Sequence, residues 1–281
     1  MNPSLDRPPI GVFDSGIGGL SVLRRLRAEL PGYPLIYVAD QAHVPYGPRP
    51  LEEVRAFAES ITRFLLDQGA RLIVVACNAA SAAALNHLRA TFPNTPFVGM
   101  EPAVKPAAEH SASKVVAVLA TPATFQGALY ASVVERFANG VLLLQDTCPG
   151  LVARIEQGDL DGIETRCILT AALAPMLERG ADTVVLGCTH YPFVIPLIEQ
   201  IAGAGVRVID PAPAVARQAR RVLEASGLLH PTADQPPRSD YYTSGDPDRL
   251  AEALERLLGI RAAVCLLEWR AQQLVRSISA L

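Results

Sequence analysis

Seven short apolar runs, each leading through a polar turn into a helix-like stretch, constrain this chain more than any other feature. They lie near 10–13, 35–39, 71–76, 115–120, 141–145, 183–186 and 206–209. Such alternation describes βα units built around a mainly parallel sheet. The stretch 51–68 shows the helical signal clearly. Leu51, Val54, Phe57, Ile61 and Leu65 recur at three- and four-residue spacing, while Glu52, Arg55, Glu59 and Arg63 fall on the other face. Gly69 marks its end. Proline-rich stretches at 45–50 and 231–237 read as surface connections.

A longer self-similarity divides the chain. LIVVACNAASAAAL at 72–85 and TVVLGCTHYPFVIPLI at 183–198 both run apolar strand, Cys, small polar residue, helix, with their cysteines 111 positions apart. IGVFDSGIGGL at 10–20 matches VAVLATPATFQGAL at 116–129 more loosely and sets Asp14 opposite Thr121, at an offset of 107. Two similar offsets predict two related α/β domains with mainly parallel sheets facing across an interdomain cleft. The first domain is expected to be discontinuous, 1–104 plus 214–281, and the second to cover 105–213. In both halves the polar residues sit just past the C-terminal ends of strands, where open α/β sheets bind ligands.

Composition limits the chemistry. With 281 residues, half of them hydrophobic, the chain can bury a large core, which excludes intrinsic disorder. The net charge of −3 argues against nucleic acid as a partner. No apolar run reaches the roughly 18–20 residues that span a bilayer, and MNPSLDRPP lacks a signal-peptide core. A cytoplasmic protein with no membrane partner is expected. Five cysteines, at 77, 148, 167, 188 and 265, are too sparse for a disulfide framework and are expected to be reduced. The only lysines are Lys105 and Lys114. Neither sits in a setting suited to anchoring pyridoxal phosphate, so cofactor-free chemistry is expected.

Cys77 and Cys188 are the candidate reactive groups. A lone Cys after an apolar strand reads as a small buried hydrophobe. Here two occur at matching positions, each before polar neighbours at an expected helix N-terminus, a setting that favours thiolate. Cys148, Cys167 and Cys265 lack that setting and are assigned to structure. Two thiols from opposing halves of a cleft suit racemisation, in which one removes a proton from a carbon while the other delivers one to the opposite face. His190, two residues after Cys188, can hold a thiol's proton or stabilise a thiolate, or simply be a hydrogen-bonded structural histidine. Zinc is the competing reading, but no second close Cys/His pair completes a ligand set, so no metal is expected. DSGIGG at 14–19 is a glycine turn able to bind a carboxylate or phosphate through backbone N–H groups. Asp14 at its head either caps the turn or manages the proton of Cys77. PYG at 45–47 reads as a turn, with Tyr46 packing and Gly47 allowing close backbone approach.

Taken in order, VFDSGIGGLSVL, YVADQAHVPYG, VVACNAASAAAL, EPAVKPA, VLATPATF, CPGLVARIEQG and VVLGCTHYPF closely resemble the glutamate racemase family over roughly residues 10–225. The resemblance implies a cofactor-independent enzyme of two related α/β domains, usually a homodimer, that interconverts L- and D-glutamate and supplies D-glutamate for peptidoglycan. It implies Cys77 and Cys188 as the acid–base pair, with Asp14 assisting Cys77, His190 assisting Cys188, and Glu156 orienting or tuning His190. Substrate is then held around Asp14, Ser15, Tyr46, Gly47, Asn78, Ala79, Thr121, Thr124, Thr189 and His190. One position departs from the family pattern: Cys-Asn-Thr is replaced by Cys77-Asn78-Ala79. The lost hydroxyl is worth about 1.5–3 kcal/mol of binding, less where water takes its place, and the Ala79 N–H is retained.

Three other functions fit parts of the pattern. An aspartate racemase shares the paired-thiol logic and differs only in reach to the distal carboxylate, which substrate kinetics separates. A hydrolase built on Cys188 and His190 predicts an acyl-enzyme burst and leaves Cys77 without a role. A non-catalytic binding protein keeps the cleft but has no need of both thiols and their helpers.

Overall fold

The computed structural model describes residues 8–229 and 239–277. From the N-terminus run β1 (Ile10–Asp14), α1 (Leu20–Glu29), β2 (Leu35–Ala39), α2 (Leu51–Asp67), β3 (Leu72–Val75), α3 (Asn78–Thr91) and β4 (Phe97–Val98). Next come α4 (Val104–His110), β5 (Val115–Ala120), α5 (Pro122–Gln126), α6 (Ala128–Phe137), β6 (Leu142–Asp146), α7 (Leu151–Glu156) and α8 (Ile163–Glu178). β7 (Thr183–Gly187), α9 (Ile195–Ala202), β8 (Arg207–Ile209) and α10 (Ala212–Ala225) follow. The chain then returns through β9 (Asp240–Thr243), α11 (Pro247–Leu258), β10 (Val264–Arg270) and β11 (Gln273–Arg276).

These strands form two sheets. One has seven strands in the order β11-β10-β9-β2-β1-β3-β4, and the other has four in the order β6-β5-β7-β8. Every pairing is parallel except the β10–β11 hairpin. The order β2-β1-β3-β4 recurs as β6-β5-β7-β8, so β1 corresponds to β5 and β3 to β7. Asp14 and the residue before Thr121 end equivalent strands, and Cys77 and Cys188 follow equivalent strands. The internal similarity of the sequence is therefore a similarity of topology. β1, β2, β3 and β7 are buried along their whole length, as parallel strands with helices on both faces must be.

α2 illustrates how the helices pack. Val54, Ala58, Ile61 and Leu65 are buried, whereas Leu51 at the start of the expected stripe and Phe57 in its middle are half-buried. Ile61 and Leu65 are fully buried, and each contributes about 1.5–3 kcal/mol of hydrophobic stabilisation. The helix stops where Gly69 takes a left-handed φ of +88°. α11 starts on Asp246, whose side chain accepts from the Asp248 N–H at 2.9 Å, and ends on left-handed Gly259.

Several expectations change. β4, β9, β10 and β11 add strands that the apolar runs do not mark. Of the three cysteines assigned to structure, Cys148 is buried, whereas Cys167 on α8 and Cys265 on β10 are exposed. Cys188 does not open an α-helix. A turn and a short 3-10 segment, Tyr191–Val194, intervene before α9, because Pro192 and Pro196 cannot donate the N–H bonds of a continuous helix. The 45–50 stretch is only partly surface, since Tyr46 and Gly47 are buried. The 231–237 stretch lies outside the described residues. Among the described residues no helix is long and apolar enough to cross a membrane.

Candidate active site

The strand ends of the two sheets meet around one small cavity. Ser15, Tyr46, Gly47, Cys77, Asn78, Ala79, Thr121, Cys188, Thr189 and His190 line it, together with Pro45 and Val152. Its volume is about 20 Å³, room for roughly one water. No Arg or Lys is among the lining residues. Three other predicted residues stand behind the wall. Asp14 is fully buried beneath it, Thr124 supports Thr121 with their hydroxyl oxygens 3.2 Å apart, and Glu156 backs His190. Glu156 also borders a second cavity of about 380 Å³ that shares Pro45 and Val152 with the first.

Cys77 sits at the cap of α3, where the N–H groups of Ser15 and Ala80 reach its sulfur. Burial nevertheless pushes the thiol well above its usual range, and the Asp14 carboxylate adds to the push. Asp14 accepts from the Gly16 N–H at 2.7 Å and, across the cleft, from the Thr189 hydroxyl at 2.9 Å. Burial raises it to about 6 against the opposing pull of His190. Beside Cys77, Asn78 is buried and neither its amide oxygen nor its amide nitrogen has a partner among the described residues.

Cys188 faces a relay. Its sulfur lies 3.7 Å from His190 Nδ1, and His190 Nε2 lies 2.6 Å from Glu156 Oε1. Burial alone would pull His190 down, but the contacts with Cys188 and Glu156 hold it well above its usual value. Burial would likewise raise Glu156. The bond and charge of His190, with the N–H of Ile17 at 2.8 Å and the more distant Gln41 amide, hold it below the usual carboxylate range instead. These contacts favour a charged His190 held between the Glu156 carboxylate and the Cys188 sulfur.

The glycines of the 14–19 turn are required by this approach. A Cβ on Gly16 would overlap Glu156 Oε1, and one on Gly18 would overlap the His190 ring. Only glycine lets this turn lie directly against side chains from the opposite sheet.

Residues 10–219 match the Asp/Glu/Hydantoin racemase family. The chain belongs to that family. It is an amino-acid racemase, an isomerase. A glutamate racemase from Roseiflexus is 50% identical over 249 residues, 89% of this chain and 92% of the relative. The crystal structure of a glutamate racemase isoform from Bacillus anthracis matches with a TM-score of 0.83 at 29% identity, covering 94% of this chain and 98% of that one. A glutamate racemase from Thermus thermophilus, crystallised in complex with β-chloro-D-alanine, matches at 38% identity with a TM-score of 0.78, over 94% and 98% of the two chains.

Three further residues lie at or beside the racemase's cavity that the sequence does not name as site residues. Pro45 and Val152 line the cavity, and the hydroxyl of Tyr37 donates to the Gly16 carbonyl at 2.7 Å from beneath the glycine turn. Pro45 is the first residue of the PYG turn, whereas Tyr37 and Val152 look like ordinary apolar positions of a strand and a helix. Lys105 and Lys114 both lie away from the cavity: Lys105 packs over Phe137, and Lys114 donates to the Ala108 carbonyl. Among the described residues no group of three His, Cys, Asp or Glu is arranged to hold a metal.

Proposed function

We propose that this racemase interconverts L- and D-glutamate without a cofactor, with Cys77 and Cys188 as the two acid–base groups. The observation that carries the reading is the shared cavity, walled by one thiol from the end of β3 and one from the end of β7. A thiolate on one side removes the α-proton and becomes a thiol. The thiol on the other side protonates the resulting planar carbanion and becomes a thiolate, so the proton count balances and the reverse reaction exchanges the roles. Asp14 manages the proton of Cys77. His190, held in its charged form by Glu156, holds and returns the proton of Cys188.

The substrate carboxylates are bound by neutral donors: the hydroxyls of Ser15, Thr121 and Thr189, the N–H of Ala79 at the start of α3, and the unpartnered amide of Asn78. Tyr46 and Gly47 close the wall, and Thr124 holds Thr121 in place. The relatives named above are glutamate racemases, which supports glutamate as the substrate. The wider reading is a cytoplasmic homodimer supplying D-glutamate for peptidoglycan, with domains at 1–104 plus 214–281 and at 105–213.

The test is incubation with L- and D-glutamate in deuterated water, without pyridoxal phosphate, and with aspartate in a parallel arm. Wild type is expected to interconvert glutamate and to place solvent deuterium at the α-carbon. Cys77→Ser and Cys188→Ser should each lose racemisation by about 100-fold or more. A folded wild-type protein that exchanges no α-proton overturns the reading, and preference for aspartate overturns the substrate assignment.

A further inference from the structure

Asp40 follows β2, is fully buried, and has its two carboxylate oxygens committed to different parts of the chain. Oδ1 accepts from the Ser244 hydroxyl at 2.6 Å and from the Trp269 indole N–H at 2.8 Å, both from the segment after α10. Oδ2 accepts from the Tyr46 hydroxyl at 2.5 Å and lies 2.9 Å from His43 Nδ1, both in the loop that leads to the cavity. Its N–H donates to the Asp14 carbonyl at 2.9 Å. A buried carboxylate with no Arg or Lys partner among the described residues depends on such donors, and each one removed leaves an oxygen poorly satisfied.

The contacts around the carboxylate repeat the pattern. Ser244 Oγ also accepts from the Ala42 N–H at 3.0 Å, so one hydroxyl touches both the carboxylate and the loop. His43 stacks on Phe57 at 3.9 Å, and the Trp269 ring meets His43 at 5.0 Å and Phe57 at 5.3 Å. The loop so held presents Pro45, Tyr46 and Gly47 to the cavity, and the Gly47 carbonyl accepts from the Ala123 N–H of the opposite sheet's α5 at 3.0 Å.

We propose that Ser244 and Trp269, which lie beyond the family-matched residues 10–219, are positioning residues that set the substrate-facing turn 45–47 through Asp40. The proposal rests on the glutamate reading above. Neither residue lines the cavity, and neither touches a thiol. Their effect is on how the turn meets bound substrate, which alters binding rather than proton transfer.

The experiment compares KM and kcat for glutamate in wild type, Ser244→Ala, Ser244→Thr and Trp269→Phe, with thermal unfolding recorded for each. Ser244→Ala and Trp269→Phe are expected to raise KM by about fivefold or more with kcat within about twofold, and Ser244→Thr, which keeps the hydroxyl, to restore KM. Wild-type KM in both deletion variants overturns the proposal alone. So does a loss of kcat that tracks the folded fraction with KM unchanged, since that is a brace for stability only. A wild type that does not racemise glutamate overturns this proposal together with the function on which it rests.

Discussion

Asn78 and Ser81 sit one turn apart on α3, equally buried, and truncating them should have opposite effects on stability. The Ser81 hydroxyl donates to the Val75 carbonyl at 3.2 Å and accepts from the Met100 N–H at 2.8 Å. Ser81→Ala leaves that N–H buried without an acceptor, which costs about 1–3 kcal/mol. Asn78 already has both polar atoms unpaired, so Asn78→Ala removes groups that are destabilising in the absence of substrate. The expected change is from neutral to a gain of about 1 kcal/mol, the lower end applying where a water in the cavity satisfies part of the amide. Urea unfolding at fixed pH measures both, provided the m-values agree. Glutamate reverses the ranking. Losing amide bonds to a carboxylate costs about 1.5–3 kcal/mol, which raises KM about tenfold to 100-fold. Saturating glutamate should therefore stabilise wild type, by about 2.7 kcal/mol at 100 times Kd, and stabilise Asn78→Ala much less. If Asn78→Ala loses as much stability as Ser81→Ala without ligand, the amide is satisfied within the protein and its assignment to the substrate is wrong.

Two further outcomes follow from the charges of the cleft. Burial lifts Asp14 from 3.8 to about 6, so its protonated form favours the folded state; that contribution is complete below about pH 4 and is lost as pH rises through about 6, some 3 kcal/mol in all. Asp14→Asn should abolish this slope, and unfolding curves of variant and wild type that stay parallel between pH 4 and 7 would refute the assignment. Glu156→Gln removes a main cause of the raised His190 value and leaves burial, which pulls the other way. The imidazole titration followed by NMR should move to lower pH, and an unchanged midpoint would show that Cys188 alone holds the proton.

The parts of this protein that the sequence reveals are those whose signals are local. β1, β3, β5 and β7 are continuous apolar runs because helices cover both faces, and Cys77 and Cys188 stand out because each ends such a run. β4 is two residues long and makes no run that composition can detect, whereas β10 falls on the apolar run 262–267 but lacks the following helical stretch that marks a βα unit. Glu156 has no local mark at all. Its place against His190 depends on α7 being set opposite β1, 139 residues from the Ile17 N–H it accepts, and only the resemblance to a family supplies it from sequence. Trp269 is further removed: its indole N–H meets Asp40 across 229 residues, a separation at which no periodicity or spacing rule operates.

The bonds across the cleft connect these features to how substrate gets in. A cavity of about 20 Å³ is too small as it stands for an amino acid with a second carboxylate, so its walls must move apart before binding. Several of the contacts that resist separation involve residues proposed to serve the two thiols. Thr189 donates to Asp14, Glu156 accepts from the Ile17 N–H, and Ser21 donates to the Thr189 carbonyl at 2.9 Å. Each such bond is worth about 0.5–1.5 kcal/mol net, more where a carboxylate takes part, so opening costs a few kcal/mol, close to what millimolar affinity supplies. Separation also exposes Asp14 and Glu156 to water, which weakens the burial and charge effects that set Cys77 and His190. The protonation pattern that the proposed mechanism uses therefore belongs to the closed arrangement, to which the cleft must return once substrate has entered.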